Sequence, residues 1–169
     1  MKMLLTGYHG TTLDNANRIL KEEKFNISNK DTEWLGEGIY YYVNISDAYE
    51  WKNADAILHS VIKIDDSEYL DIDSSNGTIV FNEMLECISS LQEKTIKMDA
   101  NNVQKNQYAV MKMLWESYPK IKVISASFPK TRTIFKTLLD RRPIRKEFCV
   151  RNNEYIKCTQ LIKRRDLDD

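Results

Sequence analysis

The sequence predicts a single α+β domain spanning residues 1–169, and three observations support this prediction. The length of 169 residues allows one hydrophobic core and is short for two. The hydrophobic share of 42% and the charged share of 30% are ordinary for a folded domain. Helical patterns are grouped in the middle of the chain and strand patterns lie at both ends, whereas βαβ units would alternate them regularly.

The first half of the chain contains patterns for four strands and two helices. Apolar residues recur at helical spacing after Leu13, and Ser46 is a suitable cap for the second helix. Aromatic and β-branched residues, partly in alternation, predict the strands. The predicted helices are 13–23 and 47–53, the predicted strands are 6–10, 39–43, 56–64 and 69–72, and a polar loop at 25–34 and a turn at 73–77 connect them.

The second half contains two longer helices followed by three strands. The segment from Ile79 to Lys97 has the strongest amphipathic pattern, because its apolar residues fall on one helical face. Pro119 ends the next helix, since proline lacks the backbone N–H that a helix interior needs. The predicted helices are 79–97 and 103–117, and the predicted strands are 123–128, 146–151 and 155–162.

The composition excludes several classes of protein. No apolar run is long enough to span a bilayer, and the first five residues are too short and too weakly basic for a signal peptide, so we expect a cytoplasmic protein without a membrane partner. Cys87, Cys149 and Cys158 lack C-x-x-C spacing, which argues against a disulfide framework and a zinc site. His9 and His59 are the only histidines, so we expect no metal cofactor.

The formal net charge is zero, but Lys and Arg outnumber Asp and Glu from Pro119 onward. A solvated basic face is the favoured interpretation, because runs of charge often serve solubility alone. Contact with phosphate groups is the alternative. The basic clusters contain Arg141, Arg142, Arg145 and Lys146, and then Lys163, Arg164 and Arg165.

The stretch "WLGEGIYYY", Trp34 to Tyr42, places two glycines directly before three tyrosines. Aromatic residues are typical of a strand, and a glycine at a strand entry marks a positive φ angle, a bulge or the close approach of a ligand. Alternation puts Tyr40 and Tyr42 on one face of that strand and Tyr41 on the other. The stretch is therefore a candidate for one side of a ligand-binding site.

Three motifs occur in order: "YHGTT" near the start, "GEGIYYY" about thirty residues later, and "RKEFCVRN" near the end. Together they resemble the ADP-ribosyltransferases of the poly(ADP-ribose) polymerase and diphtheria toxin type. In that family the first strand carries H-G-[ST], a later strand carries G-x-G-[IV]-Y, and a near-terminal strand begins with the catalytic carboxylate. The resemblance implies a split β-sheet core with inserted helices, and it makes His9, Tyr40 and Glu147 the candidate catalytic residues.

The resemblance further implies that NAD⁺ is the co-substrate. His9 would hydrogen-bond the adenine-side ribose, the Gly10 backbone would meet the nicotinamide carboxamide, and Thr11 would support that turn. Gly38 would let NAD approach the backbone, and Tyr40 would stack on the nicotinamide ring, a planar cation that suits an aromatic face. A purely structural role is the alternative for both His9 and Tyr40.

Trp51 follows Tyr40 by eleven residues, where similar enzymes carry a second aromatic that closes on the nicotinamide from the other side. Packing within a helix is an equally good explanation for Trp51. Ala48 stands where many relatives have a serine that hydrogen-bonds the nicotinamide amide, so the resemblance does not extend to that contact.

Glu147 has the chemistry that NAD cleavage requires. Breaking the nicotinamide N-glycosidic bond builds positive charge on the ribose, and a carboxylate bonded to the 2′-hydroxyl stabilises that charge. The alternative is an exposed strand residue paired with Arg145 or Arg151, a contact worth at most ~1 kcal/mol. Glu154 is the rival carboxylate, but it lies in the predicted connection between the last two strands.

The expected activity is transfer of ADP-ribose to a macromolecular acceptor, protein or nucleic acid, by a small bacterial or phage-type mono-ADP-ribosyltransferase. A chain of this size suggests an intracellular toxin or a phage-conflict effector, for which a neutralising antitoxin would be a partner. The segment with Arg141, Arg142 and Arg145 could hold an anionic acceptor. Two alternatives are an NAD glycohydrolase, with water as acceptor, and a non-catalytic nucleic-acid-binding module.

Overall fold

The computed structural model describes residues 1–51, 54–91, 102–129 and 144–163, which form a mixed α and β fold around one seven-stranded sheet. The strands are β1 (Lys2–Thr11), β2 (Ile39–Tyr42), β3 (Ala56–Asp65), β4 (Tyr69–Asp71), β5 (Val123–Pro129), β6 (Ile144–Val150) and β7 (Ile156–Lys163). The helices are α1 (Leu13–Glu22), α2 (Ile45–Tyr49), α3 (Ser75–Leu91) and α4 (Val103–Ser117). The predicted α+β class is therefore confirmed.

The strand order in the sheet is β4-β5-β6-β2-β1-β3-β7. Strands β4 and β5 are parallel, and all the other neighbouring strands are antiparallel. Strands β1 and β3 pair in register from Lys2 with Asp65 to Thr11 with Ala56, whereas β1 joins β2 through the pair Tyr8 and Tyr42. We call this short junction the seam, because it connects two otherwise well-paired halves of the sheet.

Helices cover both faces of the sheet and create two hydrophobic cores. The α1-side core combines Ala16 and Ile19 of α1 with strand residues such as Tyr41 and Phe148. The α4-side core buries Ile88 of α3 and three residues of α4 against the other face of the strands. The α4 residues are Met111, Leu114 and Trp115, and their strand partners include Ile124 and Cys149.

Helix α4 has the bounds that the sequence predicts. The side chain of Asn102 caps its first turn by accepting a hydrogen bond from the Lys105 backbone N–H at 3.1 Å, and Pro119 follows shortly after its last residue. All seven predicted strands and α1 are confirmed, with ends that differ from the predicted ones. The largest shift is in β1, which begins at Lys2 instead of Thr6 because its whole length pairs with β3.

Two local predictions are wrong. Helix α2 begins at Ile45 with Asn44 in the cap position, not after Ser46, and it ends at Tyr49, while residues 52–53 lie outside the described residues. Helix α3 begins at Ser75, inside the predicted turn, because the Ser74 hydroxyl caps it by accepting a hydrogen bond from the Gly77 N–H at 2.9 Å. Residues 92–97 of the predicted helix also lie outside the described residues.

None of the helices within the described ranges is long and apolar enough to cross a membrane.

Candidate active site

Strand β6 lies between β2 and β5 and brings the candidate carboxylate beside the tyrosine strand. In the antiparallel register Glu147 pairs with Tyr42, and Cys149 pairs with Tyr40. Residues paired directly across two strands extend from the same face of the sheet. Tyr40, Tyr42 and Glu147 therefore share the α4-side face, as the alternation predicts for the two tyrosines.

Glu147 is a buried carboxylate with only 5% of its surface exposed. Its Oε1 atom lies 2.6 Å from Nε of Arg145, yet the two are not aligned as a hydrogen bond, and neither atom has a hydrogen-bond partner within the described part of the chain. Burial raises the pKa of Glu147, Arg145 opposes that rise, and the carboxylates of Glu33 and Asp47 add to it. A buried oxygen of this kind is ready to accept a hydrogen bond from a ligand hydroxyl.

Arg145 is part of this arrangement. Its guanidinium carbon lies 5.6 Å from the centre of the Tyr42 ring, so the cation rests on the aromatic face while it contacts Glu147. The sequence grouped Arg145 with a basic segment for an anionic acceptor. The structure places it at the candidate carboxylate, while Arg141 and Arg142 lie outside the described residues.

Tyr40 packs against the α4-side core and anchors the loop before β2 through its hydroxyl. The hydroxyl donates to the Gly36 carbonyl at 2.6 Å and accepts from the Leu35 N–H at 3.0 Å. Burial raises the pKa of Tyr40 far above its ordinary value, so the side chain is neutral. The hydroxyl thus anchors the preceding loop, and the stacking of the Tyr40 ring on nicotinamide stays a prediction.

His9 is connected to Tyr40 through the backbone. Its Nδ1 lies 2.8 Å from the Tyr40 carbonyl oxygen, and because a carbonyl only accepts, Nδ1 carries the proton and Nε2 is an acceptor. Burial lowers the pKa of His9, so the ring is neutral near pH 7. The ring packs edge-on against Phe25 and Tyr41. His9 therefore lies toward the α1-side core, whereas Tyr40 and Glu147 are on the other face.

Gly10 is packed directly beneath α2. A Cβ atom added there would lie 2.3 Å from the Ala48 carbonyl oxygen and 3.2 Å from Cβ of Trp51. Trp51 is consequently next to Gly10, with 47% of its surface exposed, and Thr11 is buried at the end of β1. The NAD contacts of Gly10, Thr11 and Trp51 stay predictions.

The two glycines before the tyrosines have structural reasons of their own. Gly36 has a φ angle of 82°, which favours glycine, and it packs against the Trp115 ring. A Cβ on Gly38 would lie 2.3 Å from the Cys149 sulfur and 2.7 Å from the Val150 carbonyl oxygen. Strand packing therefore explains the missing side chain of Gly38, and its proposed contact with NAD stays a prediction.

Sequence reasoning missed three contributors to the site. Glu33 and Asp47 act on Glu147 electrostatically, although both are far from Glu147 in the chain and no local pattern connects them with it. Trp115 of α4 donates its ring N–H to the Leu35 carbonyl at 2.8 Å and so holds the loop before β2. The helical pattern showed that α4 exists, but it could not show which loop Trp115 would contact.

The rival carboxylate and the metal prediction can also be compared with the structure. Glu154 lies exposed in a short 3₁₀ turn, Asn153–Tyr155, where it contacts Asn152, as expected for a residue between the last two strands.

Among the described residues there is no group of three or more His, Cys, Asp or Glu side chains that could hold a metal ion.

Comparison with known proteins gives little further information. No family model matches the chain, and no solved structure matches it. The chain is similar to an uncharacterized protein of Methanocaldococcus jannaschii, with 27% identity over 105 residues that cover 56% of this chain and 49% of that protein. The chain thus spans about half the length of the curated relative that it matches. A similarity of this extent does not assign the chain to a family.

Proposed function

We propose that this chain is an NAD-dependent mono-ADP-ribosyltransferase, which cleaves NAD and transfers ADP-ribose to a macromolecular acceptor. The observation that carries the proposal is the position of Glu147. It is a buried carboxylate, paired with Arg145, directly across from the tyrosine strand and on the same face as Tyr40. The resemblance assigns roles to both Tyr40 and Glu147, which come from segments about one hundred residues apart.

The chemistry of a buried carboxylate supports the proposal. As the bond between nicotinamide and ribose breaks, positive charge develops on the sugar, and a fixed negative charge beside it lowers the barrier. Electrostatic stabilisation of this kind is stronger where water is excluded, as it is around Glu147. The Oε1 atom would accept the hydrogen bond from the 2′-hydroxyl of the ribose that loses nicotinamide.

The resemblance assigns both His9 and Tyr40 to the NAD site, although the structure places the His9 ring toward the α1-side core and Tyr40 on the face of Glu147. The ribose contact of His9 rests on the resemblance, and Nε2 is the nitrogen that would accept the hydrogen bond, because Nδ1 carries its proton toward the Tyr40 carbonyl. By the resemblance, the Tyr40 ring would stack on nicotinamide, and the hydrogen bonds of its hydroxyl to Leu35 and Gly36 would hold the ring in place. The proposal also includes the split-sheet fold of these transferases, which the seam between Tyr8 and Tyr42 supports.

The direct test is incubation of the protein with labelled NAD⁺ and cell lysate, followed by separate protease and nuclease digestion of the labelled product. If protease digestion releases the label, the acceptor is a protein, and if nuclease digestion releases it, the acceptor is a nucleic acid. Nicotinamide release without labelled macromolecule would select the glycohydrolase alternative. Salt-sensitive binding of nucleic acid without any NAD turnover would select the non-catalytic module and reject the proposal.

The role as a toxin or phage-conflict effector, with an antitoxin as partner, is part of the same proposal. Growth of bacteria that express the wild type would be compared with growth of bacteria that express Glu147→Gln to equal levels. Equal growth would reject the toxin role without affecting the enzymatic proposal.

Substitution of His9 or Tyr40 by alanine should weaken NAD binding as well as turnover. His9→Ala removes the acceptor for a ribose hydroxyl, and Tyr40→Ala removes the stacking surface together with the loop anchor at Gly36. Calorimetry with a non-hydrolysable NAD analogue measures the affinity, and Tyr40→Phe separates stacking from anchoring. Unchanged affinity in both alanine variants would show that the NAD site lies elsewhere.

The acceptor can be tested with Arg141 and Arg142, which lie outside the described residues. Arg145 is left intact, because its contact with Glu147 would confound the result. If the acceptor is nucleic acid, replacing both arginines by Ser should lower macromolecular labelling, more so at higher salt, and leave NAD hydrolysis in water unchanged. Labelling equal to the wild type would remove this segment from acceptor recognition.

A further inference from the structure

Arg145 is held from two sides at the candidate carboxylate. It precedes Glu147 by two residues on β6, so both side chains extend from the same face. Its Nε lies 2.6 Å from Glu147 Oε1, and its guanidinium carbon lies 5.6 Å above the Tyr42 ring. Tyr42 is in turn the residue that pairs with Glu147 across β2 and β6. The three side chains form one compact unit.

We infer that Arg145 is a positioning residue for Glu147: its guanidinium, seated on the Tyr42 ring, holds the carboxylate in place and in its charged form. This inference rests on the proposed function, because the charged carboxylate is the form that NAD cleavage needs. Arg145 acts through Glu147, and it has no assigned contact with the ribose.

The surroundings of Glu147 make such a residue necessary. Burial disfavours the carboxylate charge, and two further acids face it, Glu33 from the loop before β2 and Asp47 from α2. Tyr42 cannot compensate, because burial and Glu147 raise its pKa to about 12 and leave it neutral. Arg145 is the group that lowers the pKa of Glu147. Without it, the pKa of Glu147 would be higher still.

The geometry of the contact also suits a working carboxylate. Arg145 Nε and Glu147 Oε1 are close enough for strong attraction, but they are not aligned as a hydrogen bond. The guanidinium therefore supplies a positive charge directly beside the carboxylate. The cation–π contact with the Tyr42 ring helps to hold the Arg145 side chain in this position.

The test is the pH dependence of NAD cleavage in Arg145→Met, which keeps most of the side-chain length and removes the charge. We expect a loss of rate at pH 6 that is larger than the loss at pH 8.5, because an opposite charge this close lowers a carboxyl pKa by about one unit or more and its removal lets that pKa rise. The loss should shrink toward pH 8.5 as the carboxylate ionises again. Arg145→Lys should restore much of the rate at pH 6.

Arg151→Met is the matched control. The Arg151 guanidinium also rests on an aromatic ring, 5.5 Å from the centre of Trp115, but it is not among the charged groups that act on Glu147. Its removal changes the net charge equally and should leave the pH profile in place. A loss of rate in Arg145→Met that is the same at every pH, or a profile moved equally by Arg151→Met, would overturn the inference.

A second measurement does not need NAD. The carboxyl carbons of selectively labelled glutamates are titrated by NMR, with the Glu147 signal identified by its absence in Glu147→Gln. The pKa of Glu147 should be higher in Arg145→Met than in the wild type, and an unchanged pKa would overturn the inference. If Arg145→Met does not fold, Tyr42→Leu is measured instead. It removes the ring on which Arg145 rests, and it must also raise the pKa of Glu147. A raised pKa in a protein that cleaves no NAD would reject the proposed function alone.

Discussion

Glu147→Gln should abolish most NAD turnover while the fold and NAD binding persist. The substitution keeps the size of the side chain and removes the charge that stabilises the developing oxocarbenium ion. By analogy with the loss of a single oxyanion donor, the rate should fall on the order of 10²-fold or more. Nicotinamide release measures the rate, and circular dichroism together with titration of an NAD analogue shows that fold and binding are retained.

Glu154→Gln is the control for this prediction, because it makes the same chemical change at an exposed position in the turn before β7. Its turnover should equal that of the wild type. Turnover near the wild-type rate in Glu147→Gln, with a large loss in Glu154→Gln, would transfer the catalytic role to Glu154. Normal rates in both variants would remove both carboxylates from the chemistry and reject the proposed mechanism.

Trp115→Ala should cause the largest loss of stability that we predict, about 3–5 kcal/mol in the free energy of unfolding. Trp115 is 5% exposed, belongs to the α4-side core and donates its ring N–H to the Leu35 carbonyl. Because Leu35 and Gly36 also anchor the Tyr40 hydroxyl, the variant should bind NAD more weakly wherever it remains folded. Denaturant unfolding followed by circular dichroism measures the first effect, and calorimetry measures the second.

Two further substitutions separate the contribution of the Trp115 hydrogen bond to stability from that of its buried ring. Trp115→Phe keeps a large ring but leaves the Leu35 carbonyl without its donor, so it should cost about 1–3 kcal/mol. Trp51→Ala removes the same residue type from a position that is 47% exposed, and its effect on stability should be clearly smaller. Equal losses of stability in Trp51→Ala and Trp115→Ala would show that Trp115 is not the anchor of this loop.

The sequence predicts most elements of the fold because their patterns are local. Helix α4 is recognisable from its spacing and from Pro119, and the tyrosine strand from its composition. The errors occur where one side chain decides the start of a helix. Asn44 and Ser46 are both plausible caps for α2, and the local sequence at Ser74 reads equally well as a turn. The choice between them depends on tertiary contacts.

The candidate site is only partly predictable, for a related reason. Alternation and the motifs identify Tyr40, Tyr42 and Glu147, because these residues lie within short segments. The register that pairs Tyr42 with Glu147 joins two strands that are distant in the chain, and no local pattern encodes it. The same is true of His9, whose position toward the α1-side core follows from the twist and pairing at the seam.

The central position of β6 has a consequence for synthesis of the protein. A nascent chain that has emerged from the ribosome as far as residue 143 contains β2 and β5, but not the strand that lies between them. Each of those strands then has an open edge, which is a site for pairing with other chains. Translation adds Glu147 after both of those strands, and the carboxylate reaches the tyrosine strand only when β6 pairs between them. An enzyme of the proposed kind would therefore be active only after β6 has been translated and has paired with β2 and β5.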